Sequence, residues 1–188
     1  MQRSDWTALV QEALRDPRRN AARILGWDLP DAAVWQAVAL VSVLAVLGLY
    51  GTLLIGGGAA NAGFPSPFAM AGLQVVAMVL LAGLMSGIGR MFGGTGSFGG
   101  ALRVMVWLQA LMILLQVVQL LALLILPPLA GLVSLASLVA VAWVASGLVA
   151  GLHGFKSQGM TLLGLVGSLL AVGFVLSILL LPFVSLPQ

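Results

Sequence analysis

A glycine-rich run, GGTGSFGG at residues 93–100, is the stretch with the clearest potential for chemistry. Its segment Gly94-Thr95-Gly96-Ser97-Phe98-Gly99 fits G-x-G-x-x-G, the turn that holds a dinucleotide pyrophosphate between a strand and a helix. That site also needs an acidic residue about 20 positions later, and no Asp or Glu follows Asp31. No Lys-Ser or Lys-Thr pair directly follows the glycines, which excludes a P-loop. We therefore predict a flexible connector without nucleotide, whose backbone N–H groups could face an anion such as a lipid phosphate.

His153 is the one histidine and the next candidate for chemistry. The chain has no cysteine and no carboxylate after Asp31, so a triad or a metal site could form only with the N-terminal residues. We accordingly expect no enzymatic activity, no metal and no cofactor. We interpret His153 as a helix C-terminal residue that interacts with the last carbonyl groups. A lipid headgroup contact or a pH-sensitive switch is the alternative.

Polar side chains also occur inside the apolar stretches, at Gln74, Gln109, Gln116 and Gln119. Residues 109 and 116 share one helical face, and 119 lies one turn beyond 116. An amide that faces lipid leaves its donors unpaired, so we expect this face to point into the protein. Interhelical hydrogen bonds are the structural interpretation. A polar path through a small transporter or lipid-translocating protein is the alternative.

Basic side chains are the remaining candidates for binding. The chain has 8 Lys and Arg against 5 Asp and Glu, with an isoelectric point near 10.7, which favours an anionic lipid surface over nucleic acid. Snorkelling of the arginines to headgroups without a specific partner is the plainer interpretation. The candidate contacts with lipid or a partner are Arg18, Arg19, Arg23, Arg90, Arg103, His153 and Lys156.

The elements that carry these residues are predicted to be membrane helices. The chain is 61% hydrophobic and 7% charged, whereas a soluble domain carries about 25% charged residues. Pro127-Pro128 ends one helix and begins the next, which predicts a tight hairpin. We therefore predict an all-α polytopic membrane bundle over residues 34–188. Its five transmembrane helices would cover about 34–55, 68–88, 104–126, 129–152 and 160–181.

Residues 1–33 are predicted to form a cytoplasmic arm of short amphipathic helices, since they lack the pattern of a signal peptide. Apolar residues from Trp6 to Leu14 recur at helical spacing, and Asp16-Pro17 reads as an N-cap followed by the first residue of a second helix. We expect these helices to lie on the membrane surface with their arginines toward headgroups. A solvated arm that packs on nothing is the alternative.

Charge predicts the orientation in the membrane. With five spans, every Lys and Arg falls on the side of residues 1–33 and of the predicted 89–103 and 153–159 loops. The opposite side, formed by residues 56–67, 127–128 and 182–188, has none. Because positive residues resist translocation, we predict a cytoplasmic N-terminus and an outer C-terminus in a bacterial inner membrane.

The segments around the glycine-rich run resemble bacterial members of the Yip-one (Ypt-interacting protein one) family. The resemblance covers about residues 85–181 well and the first two predicted spans only in outline. It implies five transmembrane helices and a cytosolic N-terminus. Eukaryotic members bind Rab-type GTPases in vesicle traffic, but this chain lacks the Asp-Leu-Tyr-Gly-Pro motif of their arm. The matching segments are Gly89-Arg90-Met91-Phe92-Gly93-Gly94-Thr95-Gly96-Ser97-Phe98, Ala101-Leu102-Arg103, Trp107-Leu108-Gln109, Leu126-Pro127-Pro128 and Leu152-His153-Gly154-Phe155.

Small residues and charge placement complete the functional prediction. Gly83-x-x-x-Gly87 and Gly147-x-x-x-Gly151 permit close helix packing within the bundle, with self-association as the alternative. No ionisable residue lies deep in a predicted span, which argues against ion-coupled transport. We predict a non-enzymatic scaffold for membrane organisation or trafficking that contacts anionic lipids or membrane partners. The small transporter is the rival hypothesis.

Overall fold

The structure, a computed structural model, describes residues 3–56 and 66–184. In these ranges the regular structure is helical and includes no strand, so the predicted all-α fold is confirmed. Most of the predicted outer 56–67 loop and of the 182–188 tail lies outside the described residues. The helices are α1 Arg3–Arg15, α2 Pro17–Leu25, α3 Asp31–Ile55, α4 Pro67–Met91, α5 Phe98–Ile125, α6 Pro127–His153 and α7 Gln158–Val184.

Four helices, α3 to α6, are long and apolar enough to cross a membrane, with mean hydropathies of 2.2 to 2.5 in their most apolar windows. The stretch Gln158–Phe174 of α7 forms a shorter apolar helix within the described side chains. The multi-pass character is thus confirmed, while a count of five spans stays a prediction.

The helix boundaries follow from local backbone chemistry. The Asp16 carboxylate accepts the N–H of Arg19 at 3.1 Å, which confirms the predicted N-cap before Pro17. Leu126 alone separates α5 from α6, because Pro127 lacks the N–H that would continue α5. The predicted tight hairpin is therefore present.

The predicted 89–103 loop is shorter in the structure. Helix α4 continues to Met91, and α5 begins at Phe98, where the Ser97 hydroxyl accepts the N–H of Gly100 at 3.1 Å. The connector between the two helices is thus residues 92–97. Arg90 and Arg103, which we expected in this loop, lie instead in the last turn of α4 and the second turn of α5.

The N-terminal arm is docked on the bundle. Helix α2 packs against α5 and α6, and α1 packs against α2 and α6. Leu9 and Ala13 of α1 and Pro17, Ala21 and Ile24 of α2 are buried. The alternative of an arm that packs on nothing is wrong, because these apolar faces are covered by the membrane helices.

Helix α5 is central in the described bundle and contacts α2, α3, α4 and α6, whereas α7 packs mainly against α6. The apolar core includes residues of the arm and of the helix ends beneath it. We call this part the capped end: α1, α2, the 92–97 connector, the 154–157 loop and the adjoining helix ends. The opposite part, with the hairpin at Leu126, is the far end.

Candidate functional site

The glycine-rich connector encloses the imidazole of His153. A Cβ at Gly94 would lie 2.5 Å from Nδ1 of His153, and one at Gly96 would lie 2.6 Å from Cε1. A Cβ at Gly89, in the last turns of α4, would also collide with this ring. These glycines are therefore needed for close approach to a side chain of the same chain.

Backbone donors of the connector are used within the protein. The Gly96 N–H donates to Nδ1 of His153 at 3.2 Å, and the Thr95 N–H donates to the His153 carbonyl oxygen at 3.3 Å. The N–H groups of Gly93 and Gly94 donate to carbonyl oxygens in the last turns of α4. These N–H groups are thus occupied and do not form a nest for an anion.

His153 ends α6 and is only 2% exposed. Its ring stacks on Phe155 with centroids 5.3 Å apart, and the next residue, Gly154, takes the left-handed conformation with φ of 71°. Nδ1 accepts a hydrogen bond from the Gly96 N–H. The predicted interaction of the ring with the last carbonyl groups of α6 is therefore wrong. Nε2 is buried beside Gly89 and makes no hydrogen bond within the described residues.

The glycine pair of α6 receives the N-terminal arm. A Cβ at Gly151 would lie 2.6 Å from the Ala21 side chain, and a Cβ at Gly147 would collide with Pro17. This close-packing motif therefore binds α2. By contrast, a Cβ at Gly83 or Gly87 would meet nothing within 4 Å in the described residues. Self-association through that second pair stays a prediction.

Two of the candidate arginines bind backbone carbonyls across the capped end. Arg18 donates to the carbonyl oxygens of Lys156 at 2.9 Å and Phe155 at 2.5 Å, which ties α2 to the 154–157 loop. Arg103 donates to the carbonyl oxygens of Trp27 and Leu29, each at 3.2 Å, which ties α5 to the chain between α2 and α3. Their contact with lipid stays a prediction.

The other cationic side chains at this end are exposed. Arg19 and Arg23 pair with Glu12 at 3.3 and 3.0 Å, yet their side chains remain 77% and 51% exposed. Arg90 donates through Nε to the Ser86 carbonyl oxygen at 3.1 Å. In the described part of the chain, the Lys156 ammonium has no hydrogen bond or ion pair.

The capped end, apart from most of α1, lies in the region covered by a known domain. The model of the Yip1 domain family matches residues 12–180. The chain belongs to the Yip1 domain family. The predicted resemblance is thus confirmed, and the match includes α3 and α4, where the resemblance was only in outline, and also α2. Neither the curated proteins nor the solved structures yield a match.

Sequence reasoning missed one residue of the Yip1 domain, Asn20. It is fully buried, its amide donates to the Leu9 carbonyl oxygen at 3.1 Å, and its Oδ1 accepts the indole N–H of Trp107 at 2.7 Å. Trp6 stacks on Trp107, and Trp27 packs edge-on against it, with centroid distances of 6.1 and 6.2 Å. The available signal was a lone amide on the apolar face of a short helix.

The glutamines of the Yip1 domain lie between α3, α4 and α5. Gln74 donates to Oε1 of Gln109 at 3.2 Å, and Gln109 is 7% exposed. Gln116 points at Gly48 of α3, where a Cβ would lie 2.8 Å from its Oε1. That oxygen is buried without a hydrogen-bond partner in the described residues, and Gln119 is partly exposed. One pair thus forms an interhelical hydrogen bond.

Proposed function

We propose that this Yip1-domain protein is a non-enzymatic, multi-pass membrane scaffold. Its capped end would face the cytoplasm of a bacterial cell and contact anionic lipids of the inner membrane or membrane partners. The observation that carries the proposal is the collection of exposed cationic side chains at this end, at Arg19, Arg23, Arg90 and Lys156. Each such side chain near an anionic leaflet contributes about 1 kcal/mol of attraction.

Docking of the arm makes this charge a fixed feature of the surface. Pro17 and Ala21 of α2 pack on α6, and Arg18 holds the 154–157 loop, so the arm and the helix ends form one unit. The hairpin at Leu126 in the far end carries no charged residue. This asymmetry supports a cytoplasmic capped end, since positive residues resist translocation.

The state of His153 supports a non-enzymatic role. It is the one imidazole in the chain, its ring is buried, and Nδ1 already accepts a hydrogen bond from Gly96. The connector that resembles a nucleotide turn contacts this ring, so its glycines already have a structural use. The imidazole is therefore shielded from solvent, and the N–H groups of the connector from Gly93 to Gly96 are used within the protein.

Single-cysteine labelling tests the orientation, because the natural chain contains no cysteine. Lys156→Cys marks the capped end and Leu126→Cys marks the exposed hairpin of the far end. We expect a membrane-impermeant maleimide to label the Leu126 variant in intact spheroplasts and the Lys156 variant only after permeabilisation. The reverse pattern would overturn the proposed orientation.

Lipid retention tests the contact itself. The full-length protein, extracted from vesicles with equal phosphatidylglycerol and phosphatidylcholine, is examined by native mass spectrometry for the lipids that remain bound. We expect enrichment of phosphatidylglycerol, and a loss of that enrichment when Arg19, Arg23, Arg90 and Lys156 are all changed to Gln. Equal retention of both lipids by the natural chain would refute the electrostatic contact.

A small transporter is the second candidate function, favoured by the buried Oε1 of Gln116, which has no hydrogen-bond partner among the described residues. A polar ligand or water passing between α3 and α5 could use that acceptor. Joint replacement of Gln109, Gln116 and Gln119 by Leu separates the candidates. Loss of flux in a reconstituted, folded variant would favour transport. Unchanged flux with lost capture of a membrane partner would favour the scaffold.

A further inference from the structure

An apolar groove with a volume of about 620 Å³ lies between α4 and α7, on a side of the bundle where these two helices make no extensive contact. Leu81, Leu84 and Ile88 line the α4 wall, and Leu163 and Leu169 lie on the α7 wall. Residues of α5 and α6 close its floor. The groove is therefore a space within the bundle that no described side chain fills.

The groove reaches through about half of a bilayer. On α4 its lining runs from Leu81 to the C-cap at Phe92, which is about 16 Å at 1.5 Å per residue. On α7 the lining runs from Met160 to Val172, which is about 18 Å, and on α6 it begins only at Ala145, within the last turns before His153. One leaflet contributes about 15 Å of the ~30 Å hydrocarbon core. The length thus suits one lipid acyl chain, whereas a membrane helix of a second copy would continue to the far end.

The polar groups on the groove walls are already satisfied. The Thr161 hydroxyl donates to the Ser157 carbonyl oxygen at 2.8 Å, and the Ser168 hydroxyl donates to the Gly164 carbonyl oxygen at 2.6 Å. Ser157 directly precedes α7, so both bonds are local to this helix. These hydroxyls therefore do not need a polar ligand. The walls therefore favour an apolar occupant, because burying an unpaired polar group would be costly.

The mouth of the groove is cationic. Lys156 lines it at the capped end, its side chain is exposed, and within the described residues its ammonium has no ion pair. The Arg18 guanidinium fixes the backbone of Lys156 by a 2.9 Å hydrogen bond to its carbonyl oxygen. Arg90, by contrast, is absent from the groove lining and its Nε donates to the Ser86 carbonyl oxygen. A phosphate at the mouth would meet the Lys156 ammonium without a neighbouring carboxylate on α4 or α7.

We propose that the groove binds one acyl chain of an anionic glycerophospholipid, whose phosphate lies against the ammonium of Lys156 at the mouth. The site would select lipids by headgroup charge at the mouth and by apolar packing below it. This inference rests on the proposed placement of the capped end at an anionic leaflet. The groove would be one specific lipid position, in addition to the general attraction of the capped end to an anionic membrane surface.

Two glycines of α7 provide a matched pair for the test. A Cβ at Gly164 or Gly167 would meet nothing within 4 Å in the described residues, so either site accepts a larger side chain. Gly164 lines the groove and Gly167 does not. Gly164→Leu therefore fills the groove, while Gly167→Leu adds the same atoms to α7 outside it.

The probe is a phosphatidylglycerol with a photoactivatable diazirine in one acyl chain, present as a minor component in phosphatidylcholine vesicles that contain the full-length protein. We expect crosslinks on α4 and α7 in the natural chain. Gly164→Leu should lower their yield about tenfold, the factor expected for a loss of about 1.4 kcal/mol of binding free energy. Gly167→Leu should leave the yield unchanged, and thermal unfolding checks that both variants remain folded.

A second pair of measurements tests the mouth. Lys156→Gln should remove the preference for the phosphatidylglycerol probe over a phosphatidylcholine probe with the same diazirine chain. Crosslink positions should remain on the groove walls, because the apolar part of the site is unchanged. A natural chain without headgroup preference in the groove would overturn the anionic part of the proposal.

Three further outcomes would overturn the site. Equal crosslinking in the Gly164 and Gly167 variants would show that the lipid lies elsewhere. Dimers formed by a bifunctional thiol reagent on a Leu163→Cys variant, in place of lipid crosslinks, would assign the groove to a second copy. Retained phosphatidylglycerol enrichment in the native mass spectrum without groove crosslinks would reject this site while leaving the proposed function intact.

Discussion

In α6, residues of the two halves differ sharply in exposure although both halves are apolar. Val144, Leu148 and Leu152, toward the capped end, are 3%, 0% and 6% exposed. Leu132 and Leu138, toward the far end, are 65% and 66% exposed. Hydropathy alone does not distinguish these residues, because lipid and protein are both apolar surroundings.

The capped end is held by specific contacts that the far end lacks within the described residues. Asn20 bonds to Trp107, Arg18 holds the 154–157 loop, and glycines of the connector admit the His153 ring. Lipid gives no hydrophobic drive for helices to associate, so close packing and hydrogen bonds must stabilise the bundle. In this protein such contacts are concentrated beneath the arm. The far end and α7 are left to face lipid.

The largest difference in unfolding free energy between the two ends is expected when one leucine in each half of α6 is changed to alanine. Leu148→Ala should lower the free energy of unfolding by about 2–5 kcal/mol, because it leaves a cavity in a fully packed site. Leu138→Ala, which removes the same atoms from an exposed position, should change it by less than about 0.5 kcal/mol. Unfolding in mixed detergent micelles measures both. Equal losses would show that a partner covers the far half.

A smaller effect is expected from glycine substitution in α4. Gly89→Ala places a Cβ against the His153 ring and should cost about 1–3 kcal/mol of unfolding free energy through overpacking. Gly87→Ala, at a position with open space, is the control and should not destabilise. Combining Gly89→Ala with His153→Ala should recover part of the loss in a double-mutant cycle. Strict additivity of the two changes would contradict the contact between Gly89 and the His153 ring.

Removal of the Arg18 contact is expected to loosen the arm. Arg18→Gln should cost about 1.5 kcal/mol, the lower end for hydrogen bonds to charged groups, since the side chain is partly exposed. Hydrogen exchange of the α2 amides should accelerate with it. Arg19→Gln, adjacent in sequence but 77% exposed, is the control and should leave this exchange nearly unchanged. Equal protection in both variants would show that apolar docking alone holds α2.

The smallest effect is expected among the glutamines. Gln109→Leu removes the hydrogen bond to Gln74 and should cost about 0.6 kcal/mol, the average for interhelical bonds in membranes. Gln119→Leu, in the same helix and partly exposed, is the comparison and should be close to neutral. A loss of several kcal/mol of unfolding free energy from Gln109→Leu would contradict this estimate and would mean that Gln109 stabilises more than the single hydrogen bond to Gln74.

Much of the architecture could be predicted because its causes are local. The apolar composition predicts helices in lipid, since every backbone polar group must then be paired within its own segment. Asp16 and Pro17 mark the start of α2, and Pro127 marks the break after α5, where the structure has them. The family, too, could be identified from the order of short motifs between residues 85 and 181.

The candidate site could be predicted only in part. The amphipathic pattern of the arm did not show that α2 packs on Gly147 and Gly151 of α6, and the position of the arm on the membrane surface stays a prediction. Arg18 was interpreted as a headgroup ligand, and its guanidinium binds carbonyl oxygens as far as 138 positions away. Asn20 gave little signal, because its partner Trp107 lies 87 positions later. Such pairs depend on which helices become neighbours.

By itself the sequence determined that the chain is helical, where its helices break, that lipid is its main solvent and to which family it belongs. Those properties depend on hydropathy, proline and capping groups, which act within a few residues. Only the tertiary structure decided that the connector glycines enclose His153, which follows Gly96 by 57 positions. A glycine permits close approach to any neighbour, and the fold selects which neighbour comes near.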